Sequence, residues 1–240
     1  MAFLRLWREG GAMEYREKRA RVLLFGAVAA GLSYPAVWGL GLGPDIMTLW
    51  KGAGVALLAL WAALKARERD GWLLAAVMAL GAAGDVLLEI AGLSVGALAF
   101  AAGHLAAIWL YARNRRAALT SSQRTLALLI VPATVITAWF LPFDRAEAPG
   151  IAGYALLLGV MAAMAWTSRF PRYRTGIGAM MFVASDLLIF ARLGPIGDTV
   201  PVGVAIWLLY FVGQWMIATG VRSSFDHGYV GEAGHAGGSS

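Results

Sequence analysis

The sequence predicts an all-α integral membrane protein of eight transmembrane helices. Three observations carry that expectation. Hydrophobic residues make up 60% of the 240-residue chain, charged residues only 14%, and mean hydropathy is +0.67. A soluble domain has about 25% charged residues, so this chain lacks the polar surface to cover a water-soluble globule. Apolar runs of about 20 residues, each one bilayer crossing long, fall at 20–40, 45–64, 72–91, 95–112, 124–142, 151–168, 176–193 and 200–221. Finally, the basic residues alternate by loop. Of the 20 Lys and Arg, all but Lys51, Arg145 and Arg192 lie on the termini or in the second, fourth and sixth loops. The positive-inside rule then places both termini in the cytoplasm, as an even number of spans requires.

Each element has its own signal. Residues 1–19 read as a cytoplasmic arm, whose Phe3, Leu4, Leu6 and Trp7 suit a short amphipathic helix at the interface; Met13 serves equally as a start. The first apolar run is long enough to span, so it is not a signal peptide. Residues 20–222 form one membrane domain, divided by "GLGPD", "KARERDG", "AGLS", "RNRRAALTSSQR", "PFDRAEAPG", "SRFPRYR" and "LGPIGDTVP". The Gly- and Ser-rich end, 223–240, reads as a flexible tail, and His227 and His235 within it carry no expected role. The expected location is a bacterial inner membrane, with the protein crossing it many times.

The same composition excludes several functions. With no cysteine there is no disulfide framework, thiolate nucleophile or Cys-based zinc site. The net charge of +6 is spread over short loops, which fits topology and not nucleic-acid binding. No metal or cofactor is expected.

A weak internal echo runs through the chain. "GDVLL" at 84–88 resembles "SDLLI" at 185–189, and "FAAGH" at 100–104 resembles "YFVGQ" at 210–214. It is compatible with a 4+4 arrangement of parallel repeats, which would bring Asp85 and Asp186 to equivalent positions.

Ionisable groups inside a span cost roughly 2.5–3.5 kcal/mol even on lenient scales, so they face an interior and mark function. Lys51, Asp85, Glu89, His104 and Asp186 are the candidates, with Tyr210 and Gln214 as polar partners. Glu89 lies close to a loop and reads as a solvated helix end. Lys51 either snorkels to the outer interface or pairs with Asp45, or it faces a pocket. His104 either joins two helices by a hydrogen bond or serves the site. At 1.5 Å rise per residue, Lys51, Asp85, His104 and Asp186 lie at depths that allow one shared pocket. Gly81, Gly84, Gly103, Ser185 and Gly213 permit close helix packing and leave room beside the polar groups.

Lys51, "GD" at 84–85, "FAAGH" at 100–104 with Tyr111 two turns on, "GAMMFVASD" at 178–186 and "YFVGQ" at 210–214 together resemble the YhhN-type, lysoplasmalogenase-like membrane family. The likeness spans the second to the eighth helix. It departs from the family pattern after Lys51, where Gly52 replaces the usual Pro. The resemblance implies an eight-helix hydrolase that cleaves the vinyl-ether bond of a lysophospholipid substrate, yielding a fatty aldehyde and a glycerophospho-alcohol. It implies Asp85 and Asp186 as the catalytic pair, with Lys51, His104, Tyr111, Tyr210 and Gln214 around the substrate.

The residue types suit that chemistry independently. Vinyl-ether hydrolysis protonates a carbon, forms an oxocarbenium ion and adds water. One carboxylic acid and one carboxylate serve it, as they serve glycosidases, and removal from water helps a carboxyl group keep its proton. An intramembrane aspartyl protease would need Gly at position 82, where Ala82 stands, and a "PAL" motif. A small-molecule or proton-coupled transporter is the alternative from another class, since midplane acids suit it too; a lipid-binding scaffold is a third.

Overall fold

The computed structural model describes residues 2–236, with side chains for residues 13–225. The chain folds as α1 (Ala2–Ser33), α2 (Pro44–Lys65), α3 (Arg69–Ile90), α4 (Leu93–Arg113), α5 (Ser121–Phe140), α6 (Ala148–Thr167), α7 (Ile177–Arg192) and α8 (Val200–Ala236). Among the described residues, eight helices are long and apolar enough to cross a membrane. The bounds of α2 to α7 agree with the expected spans to within a few residues, whereas α1 starts earlier and α8 ends later.

Local chemistry sets several of these ends. Pro44 opens α2 with its missing N–H where no helical partner exists, and Asp45 follows in the first turn. Thr120 and Gln123 cap α5 reciprocally. The Gln123 N–H donates to Thr120 Oγ1 at 3.3 Å, and the Thr120 N–H donates to Gln123 Oε1 at 2.9 Å. Pro35 ends α1 in a 3₁₀ turn, Tyr34–Val37, and cannot donate to the Gly31 carbonyl four residues back. Trp207 of α8 donates its indole N–H to that carbonyl instead, at 2.6 Å. In lipid such a freed backbone group needs a partner of this kind.

The arm expected to stand apart at 1–19 is part of α1, which runs unbroken from Ala2. Arg16 is one reason. It donates to Leu64 O at 2.7 Å, satisfying a terminal carbonyl of α2, while Glu17 pairs with Lys65 at 2.8 Å. The side chains of Phe3, Leu4, Leu6 and Trp7 lie outside the described residues. α8 is helical past residue 222, although its membrane-spanning part is Val200–Phe225. The stretch expected to be a flexible tail, 223–240, is helical as far as Ala236; residues 237–240 and the side chains of His227 and His235 lie outside the described residues.

Consecutive helices pack side by side from α1 to α4. α6 lies against α4, α5 and α7, and α8 closes the bundle against α7, α2 and α3. Glycine sets the closest crossing. A Cβ on Gly178 would sit 2.6 Å from the Gly213 carbonyl oxygen, and one on Gly213 would sit 2.7 Å from that of Gly178. Only a residue without a side chain lets α7 and α8 meet so closely.

Polarity is inverted relative to a soluble protein. Phe25, Leu49, Leu98, Leu128 and Phe140 are exposed, whereas Asp85, His104, Asp186 and Gln214 are buried. This is the distribution lipid imposes, and the chain is a multi-pass integral membrane protein. Salt bridges and hydrogen bonds gather the basic loops and both termini on one face. There Asp70 accepts from Arg113 and from Asn114, each at 2.7 Å.

Candidate active site

Six helices enclose a cavity of about 620 Å³. α2 contributes Lys51, α3 Asp85 and Glu89, α6 Tyr154, α7 Asp186 and Arg192, and α8 Trp207 and Tyr210. Leu88, Ala97, Phe100, Ile151, Ile189, Phe190 and Ile206 make much of the rest of its wall apolar. The cavity extends to Leu93 and Ser94 at the start of α4, Gly150 near the start of α6, and Arg192 at the end of α7. All of these ends lie on the face opposite the termini. The mouth is therefore on the face poor in basic loops.

The two aspartates sit in this wall about five or six residues from the nearest helix ends, or roughly 8–9 Å down at 1.5 Å per residue. Asp85 is 2% exposed and Asp186 6%. Each has one tyrosine donor from another helix. The Tyr210 hydroxyl donates to Asp85 Oδ2 at 2.8 Å, and the Tyr154 hydroxyl donates to Asp186 Oδ2 at 2.8 Å. The second oxygen, Oδ1, of each carboxyl group has no protein hydrogen-bond donor among these contacts. That leaves an atom on each acid for exchange with a ligand.

Small residues make the room. A Cβ on Gly84 would sit 2.7 Å from the Phe100 ring, so glycine there lets Phe100 lie flat against α3 beside Asp85. Phe100, Phe182 and Tyr210 pack edge to face, with centroids 5.2–6.1 Å apart. Phe100 and Tyr210 form the floor of the cavity, and Phe182 stands behind them.

Below that floor lies a second void of about 20 Å³, close to one water in size, lined by His104, Tyr111 and Gln214 among others. Of the four residues whose depths allow one shared pocket, Lys51, Asp85 and Asp186 line the main cavity together with Tyr210, whereas His104 lines the void behind it with Tyr111 and Gln214. His104 is nevertheless connected to the site. Its Nε2 lies 3.0 Å from the Tyr154 hydroxyl. With that hydroxyl donating to Asp186, the bond from His104 requires its Nε2–H tautomer.

Sequence reasoning left three of these residues unnamed as site residues and gave a fourth no role in the site. Glu89, read as a solvated helix end, does lie in the last turn of α3, but it also bonds Lys51 at 2.5 Å and lines the cavity with it. Lys51 pairs with Glu89 and not with Asp45. Tyr154, Trp207 and Arg192 gave no signal beyond their residue type. Tyr154 stands in "GYALLLG", a stretch apolar on all sides, so no periodicity set it apart. Arg192 pairs with Asp198 at 2.5 Å.

No group of three or more His, Cys, Asp or Glu is placed to hold a metal ion among the described residues. The observed wall offers carboxyl, hydroxyl and cationic groups over an apolar surface, a combination suited to acid–base chemistry on an amphiphile.

The family model described as the YhhN family matches residues 46–221. Proteins named lysoplasmalogenase from Mycobacterium bovis and Mycobacterium tuberculosis are each 31% identical to the chain over 163 residues. The match covers 64% of this chain and 61% of the length of those curated relatives. No solved structure matches.

Proposed function

Because the chain belongs to the YhhN family, we propose that it is a membrane-embedded hydrolase that cleaves the vinyl-ether bond of lysoplasmalogen-type lysophospholipids. One observation carries the proposal. Two buried aspartates from different helices share the wall of a single lipid-sized, largely apolar cavity that reaches one membrane face. The relatives named lysoplasmalogenase support the substrate class.

In this reading one aspartic acid protonates the alkene carbon remote from the ether oxygen. The resulting oxocarbenium ion lies beside the other carboxylate, which stabilises it and takes a proton from the attacking water. The hemiacetal then collapses, and the proton passes to the departing glycerol oxygen. The products are a fatty aldehyde and a glycerophospho-alcohol, and one water is consumed. General acid–base help of this kind contributes typically 10²–10⁴-fold. Tyr210 and Tyr154 hold the acids in position, and Lys51 binds the head-group phosphate. His104 is a positioning residue that acts on Asp186 through Tyr154.

The test uses purified protein in detergent with a lysoplasmalogen and measures aldehyde release. Wild type releases aldehyde, and Asp85→Asn and Asp186→Asn each lower the rate by about 10²-fold or more. A wild type that releases none removes the hydrolase reading. Full activity in both variants removes the aspartate pair.

A further inference from the structure

Two cations line the cavity toward its open face, Lys51 of α2 and Arg192 of α7, and their depth relative to the aspartates is informative. Lys51 Nζ bonds Glu89, which stands one turn beyond Asp85 on α3, or about 6 Å nearer the open face. Arg192 follows Asp186 by six residues on α7, which puts it about 9 Å nearer the same face. Both cations therefore ring the cavity one to two turns outward of the acids.

Both cations are held by carboxylates that can move away. Glu89 and Asp198 have side chains 43% and 70% exposed, and exposed ion pairs contribute little. A ligand anion can exchange with either. Arg192 also presents a fork of N–H donors that fits a phosphate geometrically, which an ammonium does not.

We propose that Lys51 and Arg192 form a phosphodiester subsite at the cavity mouth, which fixes a lysophospholipid with its head group toward the open face. The inference rests on the hydrolase reading for the bond that is cleaved, and on the cavity alone for the ligand. In such a lipid five bonds separate the sn-1 ether oxygen from phosphorus. At the roughly 1.2 Å per bond of an extended chain, that is about 6 Å. The span matches the offset of about 6 Å at Lys51, and Arg192, about 9 Å outward, meets the phosphate from its outer side, so a phosphate at the mouth brings the ether to Asp85 and Asp186. Arg192 is then a specificity residue: it selects glycerophospholipids over neutral alkenylglycerols of the same chain length.

Binding separates this inference from catalysis. The probes are an uncleavable 1-O-alkyl lysophosphatidylethanolamine and the 1-O-alkylglycerol of equal chain length, followed through the fluorescence of Trp207 in the cavity wall. A Trp207→Phe control identifies the signal. Wild type favours the phospholipid. Arg192→Gln weakens phospholipid binding by about ten- to a hundredfold and leaves alkylglycerol binding unchanged. Arg192→Lys recovers part of the loss. Asp198→Asn breaks the same ion pair but keeps the cation, so it preserves phospholipid affinity and controls for damage to the fold. Equal wild-type affinity for the two probes, or equal loss of both in Arg192→Gln, overturns the subsite. Displacement of the phospholipid by inorganic phosphate at the same concentration overturns its assignment to a lipid head group. Selective binding without aldehyde release from a lysoplasmalogen leaves the subsite standing and removes the hydrolase reading instead.

Discussion

Tyr154 of α6 donates its hydroxyl to Asp186 of α7 at 2.8 Å, across an interface that the chain reaches only after 32 residues. Behind it His104 of α4 lies 3.0 Å from the same hydroxyl. Three helices thus fix the orientation of one carboxyl group, and this connection sets the first prediction.

Tyr154→Phe removes the donor to Asp186 while keeping the ring packed against Phe190. The expected result is a fall in kcat for aldehyde release of about tenfold, the value of one hydrogen bond to a charged group, with KM little changed. His104→Gln produces a similar fall, and the double variant falls no further, because both act through one bond. Additive losses in a double-mutant cycle would remove the relay.

Lys51 and Glu89 respond asymmetrically to substitution. Lys51→Met removes the cation that holds the phosphate and raises KM for a lysoplasmalogen by about tenfold or more. Glu89→Gln frees that cation from a competing carboxylate, so KM stays level or decreases. Initial rates over a substrate series measure both. An increase in KM for Glu89→Gln equal to that for Lys51→Met would show that the ion pair, and not the cation, is what the site needs.

Gly150 lines the cavity with nothing within 4 Å of where its Cβ would project. Gly150→Trp therefore places a large ring in open space and blocks the mouth. The predicted outcome is a loss of activity toward long-chain substrates with an unchanged melting temperature in detergent. A matched fall in melting temperature would assign the loss to misfolding.

Gly178→Ala puts a methyl carbon 2.6 Å from a backbone oxygen of α8, and neither backbone can yield cheaply. Overpacking of this kind costs about 1–3 kcal/mol, read as a lower melting temperature. Gly153→Ala, where a Cβ meets nothing within 4 Å, is the comparison; it holds or slightly raises stability, since alanine favours helix.

Much of the frame is legible along the chain. Pro44 and the Thr120–Gln123 box mark helix starts by local bonding, and mean hydropathy marks each span regardless of its neighbours. The two aspartates stand out because a charge in an apolar run is conspicuous by itself. Glu89, read as a solvated helix end, does stand partly exposed in the last turn of α3, but its bond to Lys51 gave no local signal because that partner lies 38 residues away. Tyr154 and Trp207 were invisible because an aromatic residue in a membrane helix is equally at home facing lipid.

Sequence alone thus determined the class of protein, the number of its membrane-spanning helices and the bounds of the inner six, and the two acids that lipid would not tolerate without an interior. These follow from hydropathy and charge, which accumulate residue by residue. Tertiary structure alone decided that Asp85 meets Tyr210 and Asp186 meets Tyr154, that Lys51 joins Glu89, that His104 stands behind the floor, and that the cavity reaches the face opposite the termini. Those facts depend on how each helix is rotated about its axis. In a bundle whose lipid-facing and buried sides are both apolar, hydrophobic periodicity carries little of that information; packing at Gly84, Gly178 and Gly213 supplies it instead.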